Sequence, residues 1–339
     1  MKILGISHKD SGCAYHRVVL PMGYLAYKEG FEGFAIDNPN AETIEQGWDL
    51  VLFNRFSPFD SKYDVLRQKL NCKIVMDIDD DWELPYSHIN YDHYIAHKNR
   101  LEDNIRNADY ITVTNERIAN KVKKLRNDVE ILPNALPFGR EQFTEEREPF
   151  DKVRIFWCGS ATHQKDLELL RNPIKRLSEF KDKIQMVIGG YSDSNEPSRL
   201  VWDRMLRNFT SNLSLPFQIL RSMRPVDYMA LYEHADIMLI PLENSPWHAC
   251  KSNLKILEAA AKKIPVIVSA VEPYTNDLDA PVFWVHKQTD WYKHLKTLIN
   301  DEQKRKEAGE ALYNWAVRNY NLDHVNDRRA DLFTGLRKA

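Results

Sequence analysis

Short apolar runs alternate with helical patterns along the whole chain, and this alternation limits the possible folds more than any other sequence feature. In the first half the predicted strands cover residues 2–6, 34–36, 50–53, 73–77, 110–114 and 130–132. In the second half they cover residues 153–158, 184–189, 217–220, 237–241, 265–269 and 282–285. Because strands separated by helices assemble into parallel sheets with crossover helices, the sequence predicts two α/β units in series.

The length agrees with two domains, since 339 residues is more than twice a common domain size of roughly 150 residues. A charged stretch over residues 140–152 is the predicted linker. We predict a first domain over residues 1–145, a second over residues 151–309, and a helical segment over residues 310–339 that crosses back to the first domain.

The composition favours a globular protein, with 43% hydrophobic and 28% charged residues. No apolar run reaches the length of a bilayer span, and the first strand lacks the pattern of a secretory signal, so a cytoplasmic location is expected. The four cysteines lack the spacing of a zinc site and are predicted to be buried thiols.

The charge divides unevenly between the two halves. Residues 1–150 contain 19 basic and 25 acidic residues, whereas residues 151–339 contain 28 and 24. This asymmetry places an anionic ligand in the second half. The acidic first half argues against nucleic acid as the main partner, because such binding depends on phosphate neutralisation.

The predicted strand at 153–158 ends in Gly159 and Ser160, and His163 and Lys165 follow before a helical run. Small residues after a parallel strand let backbone N–H groups and a helix N-terminus approach phosphate oxygens, and a lysine adds charge. A purely structural Gly-Ser turn explains this segment equally well.

A second segment begins after the strand at 237–241. Ser252 is a predicted N-cap, and Lys255 and Glu258 share one face of the helix that follows. A helix N-terminus beside Lys251 suits a diphosphate, and a carboxylate farther along can accept hydrogen bonds from ribose hydroxyls.

This second segment resembles the donor-binding element of GT-B glycosyltransferases, especially the large retaining family with a Glu-x7-Glu motif. Glu258 matches the second glutamate, but Cys250 occupies the position of the first, so sugar recognition must differ. Three further stretches extend the resemblance in order along the chain: residues 108–113, 131–135 and 224–241.

The resemblance implies two Rossmann-like domains facing across a cleft, and transfer of a hexosyl or pentosyl group from a nucleotide-diphosphate sugar to an acceptor hydroxyl. It implies no required cofactor and no metal. The residues predicted to bind the donor are Gly12, Arg17, Gly159, Ser160, His163, Lys165, Gly190, Arg224, Lys251, Ser252, Asn253, Lys255 and Glu258.

The first βα turn, from Gly12 to Arg17, also resembles glycosyltransferase-like proteins of tailed phages, which would place the protein in the host cytoplasm. Arg17 is predicted to reach a phosphate of the donor. An arginine at an exposed helix end is the alternative.

An acidic turn with four carboxylates in five residues follows the strand at 73–77, where an α/β sheet exposes its ligand-binding edge. Mutual repulsion in such a turn raises a pKa or recruits a cation. Asp79, Asp80 and Asp81 are the predicted catalytic residues, with contact to the sugar or base action on the acceptor as their role. A solvated turn that caps a helix is the alternative.

Aromatic and imidazole groups follow the acidic turn, and Trp82, Tyr86 and His88 are predicted to bind the acceptor. Packing on the core explains them almost as well. The acceptor is predicted to be a glycan or small molecule. A hydroxymethylated DNA base is a lesser alternative that would use Lys121, Lys123, Lys124 and Arg126.

Two other functions are compatible with the sequence, namely a sugar-nucleotide epimerase and a binding-only protein without transfer activity. The missing first glutamate favours the second. The anomeric outcome, the donor sugar, the nucleotide base and the oligomeric state stay open.

Overall fold

The computed structural model describes residues 1–7, 11–37, 39–55, 67–68, 70–88, 90–147, 149–211 and 214–338. The chain forms two compact units. The first unit consists of Met1–Ala135, Ala249–Ser252 and Tyr320–Ala339, and the second unit consists of Leu136–His248 and Asn253–Asn319. The short segment Ala249–Ser252 therefore belongs to the first unit, although the predicted boundaries put it in the second domain.

Each unit contains a six-stranded parallel sheet. The strands of the first unit are β1 Lys2–Ser7, β2 Glu32–Asp37, β3 Leu50–Asn54, β4 Lys73–Ile78, β5 Tyr110–Val113 and β6 Val129–Ile131, in the order β2-β1-β3-β4-β5-β6. Those of the second unit are β7 Val153–Cys158, β8 Ile184–Tyr191, β9 Phe217–Arg221, β10 Ile237–Ile240, β11 Val266–Ser269 and β12 Phe283–Val285, in the order β12-β11-β10-β7-β8-β9. Every predicted strand is present, with ends shifted by at most two residues.

Helices connect the strands of both sheets. They are α1 Gly12–Ala14, α2 Leu20–Leu25, α3 Ala41–Ile44, α4 Tyr91–Asn107, α5 Glu116–Val122, α6 Gln164–Glu168, α7 Arg171–Lys175, α8 Glu196–Thr210, α9 Leu254–Ala261, α10 Gln288–Asn300, α11 Glu302–Tyr320 and α12 Leu322–Lys338. A π-helix, Tyr15–Val19, joins α1 to α2. The predicted C-terminal helical segment thus falls on two consecutive helices, α11 and α12. Among the described residues, no helix has both the length and the apolar composition that a bilayer span needs.

Strands β1, β3 and β4 of the first sheet are buried on both faces, which explains why they are apolar runs without alternation. One face carries Leu4, Phe53 and Ile78. The opposite face carries Ile3 and Leu52, where residues from α2 and α12 complete the core. Phe333 of α12 is fully buried in this cluster. The last helix therefore takes part in the core of the first unit.

The second unit has a core rich in tryptophan. Trp157 of β7, Trp202 of α8 and Trp291 of α10 are all buried in one cluster. Gly309 brings α11 against the turn after α9, since a Cβ at this position would lie 2.0 Å from the carbonyl oxygen of Lys263. Only glycine permits this close approach of two backbones.

The strand order reverses once in each sheet, between β1 and β3 in the first unit and between β7 and β10 in the second. Ligands of open α/β sheets bind beyond the carboxyl ends of the strands at such reversal points. The fold therefore draws attention to the residues after β1, β7 and β10.

Candidate functional site

The turn after β7 is built by two of the predicted glycines. Gly190 adopts a positive φ of 101°, which disfavours other residues. A Cβ on Gly190 would lie 2.3 Å from the carbonyl oxygen of Gly159, so the two glycines touch through their backbones. Ser160 begins the next turn, and its hydroxyl lies 2.5 Å from that of Thr162. The glycines thus keep the carboxyl end of β7 compact.

His163 follows this turn and is held by Asp166, a residue absent from the predicted site. The Nδ1 atom of His163 lies 2.7 Å from Oδ2 of Asp166, and the backbone N–H of Glu243 donates to Oδ1 at 2.8 Å. Burial disfavours the charged form of Asp166, but these partners outweigh it and lower the pKa of the carboxyl. Asp166 is therefore ionised, and its contacts link the segment after β7 to the segment after β10.

Helix α9 carries Glu258 into the interior of the second unit. Glu258 is buried, and the hydroxyl of Tyr232 donates to its Oε2 at 2.6 Å. Burial raises the pKa of Glu258 to about 7, although the hydrogen bond from Tyr232 and the charge of Lys255 oppose the shift. Near neutral pH this carboxyl can both accept and donate hydrogen bonds.

The N-terminus of α9 differs from the prediction. Asn253 is the N-cap, and its side chain does not cap the helix because it donates to Oδ2 of Asp277 at 2.7 Å. Ser252 instead accepts a hydrogen bond from the side chain of Asn134 at 2.9 Å within the first unit. The predicted capping role of Ser252 is therefore wrong, because the chain enters the helix one residue later.

Lys251 also lies in the first unit, where its Nζ is 3.2 Å from Oδ2 of Asp80. The side chain of Asn115 donates to the carbonyl oxygens of Cys250 and Lys251 at 2.9 and 3.2 Å. Cys250, at the position of the expected glutamate, is buried in the core of the first unit, and burial raises the pKa of its thiol to about 12. Lys251 and Ser252 thus belong to the first unit, whereas Lys255 and Glu258 belong to the second.

Two further predicted donor residues lie on the surface of the second unit. Lys165 is an exposed residue of α6. Arg224 follows β9 and forms an exposed ion pair with Asp227 at 2.7 Å. Both side chains are exposed, whereas Asp166 and Glu258 are buried.

Arg17 differs most from its predicted role. It is 1% exposed, and its guanidinium donates to both carboxylate oxygens of Asp77 at 2.9 and 2.8 Å. Its third donor reaches the side chain of Asn134 at 3.1 Å. Thr112 also donates to Asp77, at 2.7 Å. The buried carboxylate of Asp77 at the end of β4 requires a cation. Arg17 supplies this charge, so its guanidinium is bound within the first unit instead of projecting toward a phosphate.

The acidic turn is neutralised by basic side chains. Arg55 donates to both oxygens of Asp79 at 2.6 and 2.8 Å. Lys251 pairs with Asp80 and Lys121 with Asp81. Burial opposes the ionisation of Asp79, yet Arg55 keeps the pKa of Asp79 well below its usual range. Of the two alternatives, a raised pKa therefore does not hold for Asp79, because its carboxylate is paired with Arg55.

Arg55 adopts a left-handed backbone conformation with φ 58°. Such a conformation costs a non-glycine residue about 1–3 kcal/mol and is often found at functional sites. Arg55 also contacts the hydroxyl of Tyr94 and, at 2.8 Å, the sulfur of Cys13. These contacts hold the strained residue at the carboxyl end of β3.

The three predicted acceptor residues have different environments. Trp82 is buried in the core, with the ammonium of Lys121 5.3 Å from its ring, so its expected place on a binding surface is wrong. Tyr86 is 85% exposed. His88 lies in a turn, where its Nδ1 accepts from the backbone of Asn90 at 3.1 Å. Only Tyr86 offers a large exposed ring.

Two of the four basic residues predicted for a DNA acceptor form ion pairs within the first unit. Lys121 pairs with Asp81 and Glu83, and Arg126 pairs with Asp128 and donates to carbonyl oxygens. Both cations are therefore already partnered by groups of the first unit.

Residues 152–301 match the model of a family described as glycosyl transferases group 1. By sequence alone, no curated protein matches the chain. The fold is similar to that of a sucrose-phosphate synthase from Thermosynechococcus elongatus, with 14% identity, a TM-score of 0.72 and coverage of 99% of each chain. It is also similar to Anabaena HepE in complex with UDP and glucose, with 11% identity, a TM-score of 0.66, and coverage of 98% of this chain and 99% of that one.

A third similar structure is a UDP-forming α,α-trehalose-phosphate synthase from Burkholderia xenovorans. It shows 13% identity and a TM-score of 0.61, and covers 88% of this chain and 78% of the other. At these identities the similarity establishes the fold, and the predicted GT-B class is confirmed. The match of residues 152–301 to a glycosyltransferase family model, together with the GT-B fold, confirms the prediction of a glycosyltransferase enzyme.

Proposed function

We propose that the protein transfers a sugar from a nucleotide-diphosphate sugar to an acceptor hydroxyl, and that the second unit binds the donor. The observation that carries this proposal is the place of Lys255 and Glu258 within the matched domain. Both lie on α9, the α-helix between β10 and β11, and β10 lies where the strand order reverses. Sheets of this kind bind nucleotides at that point.

The groups of the second unit suit different parts of the donor. Gly159 and Gly190 touch through their backbones and keep the carboxyl end of β7 compact, and the donor is proposed to bind beyond this strand end. Lys255 supplies a positive charge for the diphosphate. Glu258 is proposed to bind ribose hydroxyls, because a half-protonated carboxyl can pair with hydroxyl groups as donor or acceptor.

UDP is the first nucleotide to test. The Anabaena HepE structures contain UDP, UDP with glucose, or UDP-glucose, and the trehalose-phosphate synthase is described as UDP-forming. We extend this nucleotide to the present chain as a proposal. The donor sugar, acceptor and anomeric outcome stay open.

In the first unit we propose that Asp80 contacts the sugar or the acceptor. Asp79 and Asp81 are 11% and 6% exposed and are held by Arg55 and Lys121, whereas Asp80 is 23% exposed. Asp79 and Asp81 are then positioning residues that fix the turn. Of the three residues predicted to be catalytic, we therefore propose this role for Asp80 alone.

The test combines donor binding with turnover. Titration calorimetry with UDP-glucose, GDP-mannose, ADP-glucose and CDP-glucose identifies the nucleotide, and release of the nucleoside diphosphate measures donor hydrolysis in the absence of an acceptor. We expect Asp80→Asn to retain donor affinity and to lose hydrolysis, because a contact specific to the transition state appears in kcat. Hydrolysis at the parent rate would remove Asp80 from the mechanism.

The same measurement separates the alternative functions. A protein that binds a sugar nucleotide without hydrolysis or transfer would support the binding-only alternative, which the buried Cys250 favours. The cytoplasmic location, the phage origin and the DNA acceptor stay predictions.

A further inference from the structure

The second unit contains a cluster of metal-binding side chains next to the reversal of strand order. In the described part of the chain, one oxygen each of Asp166 and Glu243 and one ring nitrogen of His248 lie within 4.8 Å of one another. We propose that these three residues bind a divalent first-row metal ion, Mn²⁺ or Zn²⁺. This differs from the prediction of no metal that the resemblance implied.

The central distance fits two ligands of one ion better than a direct hydrogen bond. His248 Nε2 is 3.7 Å from Asp166 Oδ1, and a hydrogen bond between nitrogen and oxygen spans about 2.7–3.2 Å. Metal–ligand bonds of about 2.0–2.2 Å place two adjacent ligand atoms on the order of 3 Å apart. A small contraction of this gap therefore suffices.

The surrounding contacts orient the ligands. The hydroxyl of Ser245 lies 2.7 Å from Nδ1 of His248, which leaves Nε2 as the ring nitrogen directed toward Asp166. The other oxygen of Asp166 is held by His163 at 2.7 Å. Hydrogen bonds to the remote atoms of metal ligands are a regular feature of metal sites and fix ring and carboxylate orientation.

The cluster adjoins a cavity of about 400 Å³ at the ends of β10, β11 and β12. Glu243 belongs to both the cluster and the wall of the cavity, and Ser245, which contacts His248, also lines the cavity. The cavity gives an ion a path and room for water ligands. Two carboxylates with one imidazole suit Mn²⁺ or Zn²⁺ rather than a soft ion such as Cu(I).

The test uses the full chain after treatment with a chelator. Titration calorimetry with Zn²⁺ and the electron paramagnetic resonance of free Mn²⁺ are expected to show one bound ion per chain. Glu243→Gln and His248→Gln should each weaken binding at least tenfold, while thermal melting in the absence of metal shows that both variants are folded. This readout requires no sugar nucleotide, so the inference can fail without affecting the proposed function.

A second histidine pair supplies the control. His93 and His97 lie one helical turn apart on α4 with ring centroids 4.5 Å apart, a geometry that also binds Zn²⁺ adventitiously. His97→Gln should leave the proposed site intact. The inference is overturned if His97→Gln abolishes binding, if Glu243→Gln and His248→Gln bind as the parent does, or if the parent retains no ion.

Discussion

Each unit contains a six-stranded parallel sheet, but the carboxylates near the carboxyl ends of the strands have different partners in the two units. In the first unit, arginines neutralise aspartates, in the buried pair Arg17–Asp77 and the partly buried pair Arg55–Asp79. In the second unit, Glu258 accepts a hydrogen bond from the hydroxyl of Tyr232, and burial raises its pKa to about 7. The carboxylates of the first unit are therefore paired with cations, whereas Glu258 of the second unit is proposed to bind the donor.

The largest loss of stability should come from removing the carboxylate of the buried Arg17–Asp77 pair in the first unit. Asp77→Ala leaves Arg17 as a buried charge without its bidentate partner, and the free energy of unfolding should fall by about 3–5 kcal/mol. Denaturant titration followed by circular dichroism measures this loss.

Asp227→Ala is the matched control, because it removes an exposed aspartate from a pair with Arg224. Its expected cost is below about 1 kcal/mol. Equal losses in the two variants would show that the buried network of the first unit does not differ energetically from a surface pair.

The pH dependence of stability should come from Glu258 of the second unit. Because burial raises the pKa of Glu258 from 4.5 to about 7, the native state holds a proton that the unfolded state has released between these values. Stability from this group is complete at pH 4.5 or below and is lost as the pH rises through 7. The total is on the order of 3 kcal/mol.

Comparison with Glu258→Gln isolates this term. The parent should lose stability relative to Glu258→Gln between pH 5 and pH 8. Glu196→Gln changes a glutamate that is 76% exposed, and its difference from the parent should stay constant. A constant difference for Glu258→Gln as well would mean that Glu258 ionises normally.

The strands were predictable from the sequence because each depends on local information, an apolar run bounded by polar residues. The hydrogen-bond networks of buried charged residues could not be predicted in this way. Arg17 lies 60 residues from Asp77, and nothing in the sequence distinguishes it from an arginine at an exposed helix end. Sequence patterns predicted Glu258 and His163 as donor-binding residues, and the three-residue spacing from His163 could also have indicated its contact with Asp166.

The remaining predictions concern donor binding by the second unit. Glu258→Gln should weaken binding of UDP-glucose by about 1.5–3 kcal/mol, roughly 10- to 100-fold, if the carboxyl bonds to the ribose. The amide oxygen can still accept from Tyr232, so the fold is retained. Calorimetry checks the Kd, and Glu196→Gln again serves as the control. An unchanged Kd for Glu258→Gln would place the ribose elsewhere.

The smallest expected effect compares one lysine from each unit. Lys165 is an exposed cation of α6, and its replacement by alanine should weaken UDP binding by about 1.5 kcal/mol if it bonds to the diphosphate. Lys251 is already 3.2 Å from Asp80, so binding a phosphate would require exchange of that partner. Lys251→Ala should therefore change the Kd for UDP less than Lys165→Ala does. If Lys251→Ala has the larger effect, the cation of the first unit binds the donor, and the contrast between the two units does not hold for the acidic turn.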